Sequence, residues 1–246
     1  RGIGGMPVGI IDAGAGGVSL LRSGNIRDLP PVAPTFTTRH TVDLTAESGG
    51  IGQTNGNLDV TVGVSFSADT TADGSNISVQ GLGGLPVGTV TAGGGDVTIT
   101  ATGTVNDHAA DAVTDITAAS IDITADGGIG SAAVLETAGT GLTLTDTSGG
   151  DIDVYNEIDA GVSITGIDTN GGTVNVIQRG QTGGNDLSVD GVVASGNPAN
   201  GGSITIDGDN GLVVNALVDS SAGAGGTLYV SGAAVNVAPT VGAGDI

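Results

Sequence analysis

The chain has no cysteine, no lysine and no tryptophan, and each absence removes a class of explanation. Without cysteine there are no disulfides, and thiolate metal or redox chemistry is excluded. Five arginines face 26 acidic residues, giving a net charge of −21. A surface that acidic repels phosphate backbones, so no nucleic-acid partner is expected. Phe36, Phe66, Tyr155 and Tyr229 are the whole aromatic set, fewer than a globular enzyme core commonly uses. No run of 18 apolar residues occurs, so no membrane-spanning helix is expected. Glutamate is scarce too: only Glu47, Glu136 and Glu157 among the acids. Aspartate bonds nearby backbone amides and suits turns, whereas glutamate favours helices, so the acidic composition is biased against helix.

What the chain does have is glycine, 48 of 246 residues, against a usual share of roughly 7%. No Gly-X-Y register is present, which excludes collagen. Apolar residues make up 38% of the chain and alternate strictly with polar ones, which argues against disorder. The glycines punctuate a recurring unit, Gly-Gly-polar-aliphatic-polar-aliphatic. It reads Gly-Gly-Asp-Val-Thr-Ile at 94–99, Gly-Gly-Asp-Ile-Asp-Val at 149–154 and Gly-Gly-Thr-Val-Asn-Val at 171–176. It returns as Gly-Gly-Ser-Ile-Thr-Ile at 201–206 and Gly-Gly-Thr-Leu-Tyr-Val at 225–230. Each copy is a tight turn followed by a short strand with one apolar face. Such a strand cannot bury its face alone, so the copies must stack as a solenoid.

The fold expected is therefore all-β: a parallel β-helix of roughly 20–24 residues per rung with occasional insertions, spanning 1–246 as one segment. The first aliphatic residues of the units are Ile77, Val97, Ile121, Leu142, Ile152, Val174, Ile204 and Leu228. Regular spacing results if Ile152 succeeds Ile121 and Leu142 lies on another side of the coil. Roughly 11 rungs stacked about 4.8 Å apart would give a rod ~50 Å long. Alternation points Val97, Ile99, Ile152, Val154, Val174, Val176, Ile204 and Ile206 inward, and Thr98, Asp153, Asn175 and Thr205 outward. Tyr229 breaks the polar rule on the outer side. Second strands are expected around Val162/Ile164, Leu187/Val189, Leu212/Val214 and Val235/Val237. Residues 27–41 hold three of the seven prolines and read as an excursion from the coil. Repeat phrases run up to Arg1 and Ile246, so the expectation is a segment or subunit of a longer array. Such a segment either continues into further chain or stacks head to tail.

The segment Asp126-Gly-Gly-Ile-Gly-Ser-Ala-Ala-Val-Leu-Glu-Thr-Ala and the run Gly-Gly-Asp-Ile-Asp-Val-Tyr-Asn at 149–156 carry a family likeness. With Gly-Gly-Ile-Gly-Gln-Thr at 49–54, they resemble the rung-to-rung corners of filamentous-haemagglutinin-like proteins, large secreted bacterial β-solenoids. The resemblance covers residues 42–246. It implies an extracellular or cell-surface rod used in adhesion, display or filament building, with host-surface or carbohydrate contacts.

Candidate chemistry is sparse. Asp107, His108 and Asp111 lie within Asn-Asp-His-Ala-Ala-Asp and have the residue types of a metal site or an acid–base pair. A solvated corner loop explains them as well, and that reading is preferred. Asp186, in Gly-Asn-Asp-Leu-Ser-Val, resembles one copy of a calcium-binding nonapeptide, which needs successive copies to close around an ion. Asp207-Gly-Asp-Asn-Gly resembles half an EF-hand loop and lacks its closing acid and helices. No cofactor is expected, and calcium is expected to be held only loosely by the acidic surface. The competing class is a carbohydrate-active β-helix, which would need a groove of converging carboxylates with a basic residue nearby. Asp122, Asp151 and Asp153 are its candidates on one face, but a solvated acidic face explains them, and Arg179 is the only arginine beyond the first 39 residues. An ice-binding threonine ladder (Thr98, Thr143, Thr205) is interrupted by Asp122, Asp153 and Asn175.

Overall fold

In a computed structural model of the chain, two long parallel sheets run side by side along one coil. The structure describes residues 5–29, 35–52, 56–182, 186–196, 202–220 and 227–237. Every strand pairing among them is parallel, and no helix is present among the described residues. The chain alternates between the sheets, and each rung adds one strand, or two short ones, to a sheet. The coil makes about 9 turns, fewer than the rung length alone suggested. At about 4.8 Å per turn this is a rod of roughly 45 Å.

One sheet stacks Phe36–Thr38, Leu58–Val62, Ile77–Gly81, Val97–Ala101, Ser120–Ala125, Gly141–Asp146 and Val162–Asp168 in that order. It continues through Leu187–Val189, Leu212–Val214 and Val235–Val237. The expected second strands thus fall into one register, Val162 with Leu187, Leu187 with Leu212 and Leu212 with Val235. The other sheet carries Leu135–Ala138, Ile152–Glu157, Val174–Arg179, Ile204–Gly208 and Leu228–Gly232.

The register corrects one expectation. Ile121 pairs with Leu142 in the first sheet, whereas Ile152 belongs to the second and pairs with Val174. The Gly-Gly unit therefore serves both sheets: its copy at 94–99 starts a strand of the first, and those at 149–154 and 171–176 start strands of the second. Rung length varies around the expected value, with the insertions that the spacing implied. Leu135 pairs with Val154, 19 residues on, and Val174 pairs with Ile204, 30 residues on.

The inward residues form continuous aliphatic columns. Val97, Ile99, Ile152, Val154, Val174, Val176, Ile204 and Ile206 are all buried, and their alternate neighbours are half-buried. Tyr229 points outward and is exposed, as its place in the alternation requires. Phe36 and Phe66 are buried in the early part of the core. The proline-rich stretch lies only partly within the described residues. Arg27 and Asp28 finish one strand, and Phe36–Thr38 is another, while residues 30–34 lie outside the described residues.

The second glycine of the unit is required by stacking. A Cβ on Gly172 would lie 2.1 Å from the Gly150 carbonyl oxygen one rung earlier. The Gly-Ile-Gly corner works differently. Ile129 makes single bridges to Val105 and Ile152, so an aliphatic side chain enters the stack without a strand of its own. Gly130, at φ +67, lets the chain turn away where a Cβ would meet the Asp153 carbonyl at 1.9 Å. The corner at 49–54 repeats this with Ile51, between Ile26 and Ile77; Gln53 and Thr54 lie outside the described residues.

A polar ladder runs inside the second sheet. Asn156 Oδ1 accepts hydrogen bonds from the Thr137 hydroxyl and the Gly139 N–H, both at 2.9 Å. Its Nδ2 donates to Gly139 O at 2.9 Å and to Gln178 Oε1 at 2.6 Å. Gln178 in turn donates to Ile158 O at 3.0 Å and Arg179 O at 2.8 Å. Fully bonded in this way, buried amides cost little and fix the register.

Candidate functional site

The strand Val105–Asp107 ends in an excursion over residues 108–114 that returns to the coil at Asp115. Asp107 folds that excursion: its two carboxylate oxygens accept the N–H groups of Ala109 at 2.7 Å and Asp111 at 2.8 Å. Ala110 takes a positive φ of 52° within it. Asp115 lies one rung below Glu136. Its Oδ2 accepts the Glu136 N–H at 3.1 Å, and its own N–H donates to the Glu136 carbonyl at 2.8 Å. Glu136 projects from the outer side of the sheet, since Leu135 and Thr137 on either side of it face the core.

An outward acid is ordinarily solvated, yet Glu136 is 7% exposed, with Asp115 at 6% and Asp107 at 5%. One carboxylate oxygen from each of the three lies within 4.8 Å of the others. Burial, with the nearby charges of Asp107 and Glu136, pushes the Asp115 carboxyl up to about 8 against the opposing bond from the Glu136 N–H. Burial, and then the charge of Asp107, also raises Glu136. Left to itself, Asp115 retains a proton near neutrality, because like charges in a water-poor site resist ionising together.

Beside this cluster runs a surface groove of about 400 Å³, lined by Asp111, Val134, Glu136, Tyr155, Glu157 and Arg179 among others. Tyr155 sits beside Glu136 on the next rung and is followed there by Ile177. The Arg179 guanidinium lies over the Tyr155 ring, 4.3 Å from its centre, the geometry of a cation–π contact. The groove thus presents an acid, a fixed cation and an aromatic face together.

Of the candidates read from the sequence, Asp107 alone belongs to the cluster. His108 is exposed on the excursion; its backbone N–H is the group that bonds the coil, at Val87 O, 2.8 Å away. Asp111 is exposed, lines the groove and accepts the Val113 N–H at 2.7 Å. Asp186 is exposed and packs against Gly211, far along the coil, while Gly184 and Asn185 lie outside the described residues. Asp207 accepts the Ser231 hydroxyl, and Asp209 accepts the Gly180 N–H at 3.1 Å. Neither is part of a metal-sized group among the described residues.

The supposed face of Asp122, Asp151 and Asp153 does not exist. Asp122 lies on the first sheet, with Thr98 and Thr143 as its neighbours, while Asp153 lies on the second and accepts the Asn175 amide at 2.8 Å. The threonine ladder is split likewise, since Thr205 lies on the second sheet. Asp115 and Glu136 escaped sequence reading because neither lies in a ligand motif. Their separation, 21 residues, is the signal: it is one rung.

Comparison with protein-family models, curated proteins and solved structures found no match.

Proposed function

We propose that this chain is a structural, non-catalytic rod of a bacterial cell-surface adhesin or extracellular filament, of the filamentous-haemagglutinin-like kind. The observation that carries the reading is the unbroken parallel ladder from Ile11–Gly14 to Val235–Val237. A coil of this kind has no inherent stop. Met6, Ile11, Val18 and Leu20 in the early strands, and Leu228 and Val230 in the late ones, are only partly covered. Among the described residues, the first and last rungs leave apolar surface on which another rung could stack, from further chain or from a second copy. Head-to-tail addition does not close on itself and so builds a filament. Arg22, Arg27 and Arg39 lie in the early rungs, opposite in sign to the acidic remainder that a neighbour would present. The test is to measure the native chain's mass and image the purified material. A longer native chain or linear assemblies are expected. A native 246-residue chain that stays monomeric at high concentration would overturn the reading.

The three converging carboxylates beside Arg179 favour a second reading, a carbohydrate-active β-helix. Of the three only Glu136 lines the groove, where Asp111 and Glu157 also lie. Turnover of an acidic polysaccharide that disappears in Glu136→Gln would establish this reading in place of the first.

A further inference from the structure

Glu136 is buried on the outer side of the sheet, with a carboxylate oxygen that has no partner among the described residues. That oxygen, Oε2, is sealed from solvent. Burying a carboxylate oxygen without a donor is unfavourable, and two further carboxylates at its side make it more so. Among the described residues no arginine compensates: Arg179 lines the groove but lies over Tyr155. The site is therefore short of positive charge, and its three side chains converge on one point.

We propose that Asp107, Asp115 and Glu136 bind one divalent cation of the calcium class, which fastens the 108–114 excursion to the outer face of the second sheet. All donors are carboxylate oxygens, the hard ligands calcium prefers, with neither imidazole nor thiolate in the group. Two oxygens that each lie about 2.4 Å from a calcium ion are at most about 4.8 Å apart, and the carboxylate oxygens here meet that limit. The backbone N–H bonds to Asp107 leave lone pairs free on both its oxygens, because an ionised carboxylate has about four acceptor positions. Waters from the adjoining groove would complete a shell of six to eight ligands. The chain segments joined are separate: the end of one strand, the return point of the excursion and the next rung. A cation there cross-links all three. This inference stands apart from the rod and enzyme readings, since it concerns how the excursion is held.

Terbium(III), a luminescent stand-in for calcium, tests this on the full chain. Tyr155 neighbours Glu136 on the next rung and should sensitise the emission of terbium bound there. The expected result is saturable, tyrosine-sensitised emission from one site per chain, displaced by calcium and quenched in Tyr155→Phe, which still binds calcium by calorimetry. Asp115→Asn and Glu136→Gln should each weaken calcium binding by more than about tenfold. In chelator both variants should melt at or above the wild-type temperature, because each relieves charge crowding, but they should lose the calcium-dependent rise. Absence of saturable calcium binding to the wild-type chain would overturn the proposal. So would undiminished binding in both carboxylate variants. Should either variant fail to fold, the wild-type emission and its loss in Tyr155→Phe decide the matter.

Discussion

Asp146 Oδ2 accepts the Gly128 N–H at 2.6 Å, across one full rung of the coil. The same oxygen takes the Gly127 N–H at 2.8 Å, and Oδ1 takes those of Ser148 at 3.0 Å and Gly150 at 2.6 Å. One buried carboxylate thus ties the Gly-Gly corner of its own rung to that of the rung before. Burial alone would push this carboxyl up, but the four amide bonds outweigh it and hold it below its ordinary value of 3.8.

The pH dependence follows from that direction. A carboxyl lowered in the folded state contributes stability above its unfolded value and loses it as pH falls through the folded one. The Asp146 contribution to wild-type stability should therefore fade below about pH 4, while the raised carboxyls of Asp115 and Glu136 act in the opposite direction. Asp146→Ala should be less stable by about 2–4 kcal/mol at pH 7, since several buried donors lose their acceptor. It should also show a shallower loss in acid. Urea denaturation at pH 7 and pH 3 measures both effects.

Gly172 and Gly94 offer a contrast in close approach. Gly172→Ala places a Cβ 2.1 Å from a backbone oxygen, whereas a Cβ at Gly94 meets nothing within 4 Å. We expect the first substitution to lower the melting temperature by at least several degrees and the second to leave it nearly unchanged. Differential scanning calorimetry of the two variants makes the comparison.

Val176 and Asn175 test the phase of the strand Val174–Arg179. Val176→Asp buries an unpaired charge between two rungs and should cost several kcal/mol. Asn175→Ala removes one half-exposed hydrogen bond, to Asp153 at 2.8 Å, and should cost under about 1 kcal/mol. Equal losses in chemical denaturation would contradict the inward assignment of Val176.

The polar ladder predicts an asymmetry between single and paired changes. Asn156→Leu leaves Gln178 Oε1 and the Gly139 groups without their partner and should cost about 1–3 kcal/mol. Adding Gln178→Leu should recover part of that loss, because an apolar pair leaves fewer stranded amide groups. A double-mutant cycle gives the coupling, and strictly additive losses would argue against a linked ladder.

Much of this architecture is written in local chemistry. The Gly-Gly unit and the alternation of Val174, Asn175 and Val176 announce short stacked strands, because stacking and alternation act within a few residues. The assignment of units to sheets is less legible. Ile121 and Ile152 look like successors since one corner chemistry serves both sides of the coil, and rungs of 19 to 30 residues blur any fixed period. The carboxylate cluster lies furthest from view. Asp107 shows itself by its loop, but Asp115 and Glu136 acquire their environment only when one rung settles on another and the excursion covers them.

The direction of the ladder bonds also has a mechanical consequence. In this coil they point along the rod, so a pull on its two ends loads rungs in series and opens them one after another, as a zipper opens. Each opened rung of roughly 22 residues frees about 75 Å of extended chain in exchange for a rise of about 4.8 Å. A tether built this way yields in small steps under tension and lengthens more than tenfold before it breaks. Where the Asp146 clamp or a bound cation joins neighbouring rungs, the opening should pause, which gives the rod places of graded resistance along its length.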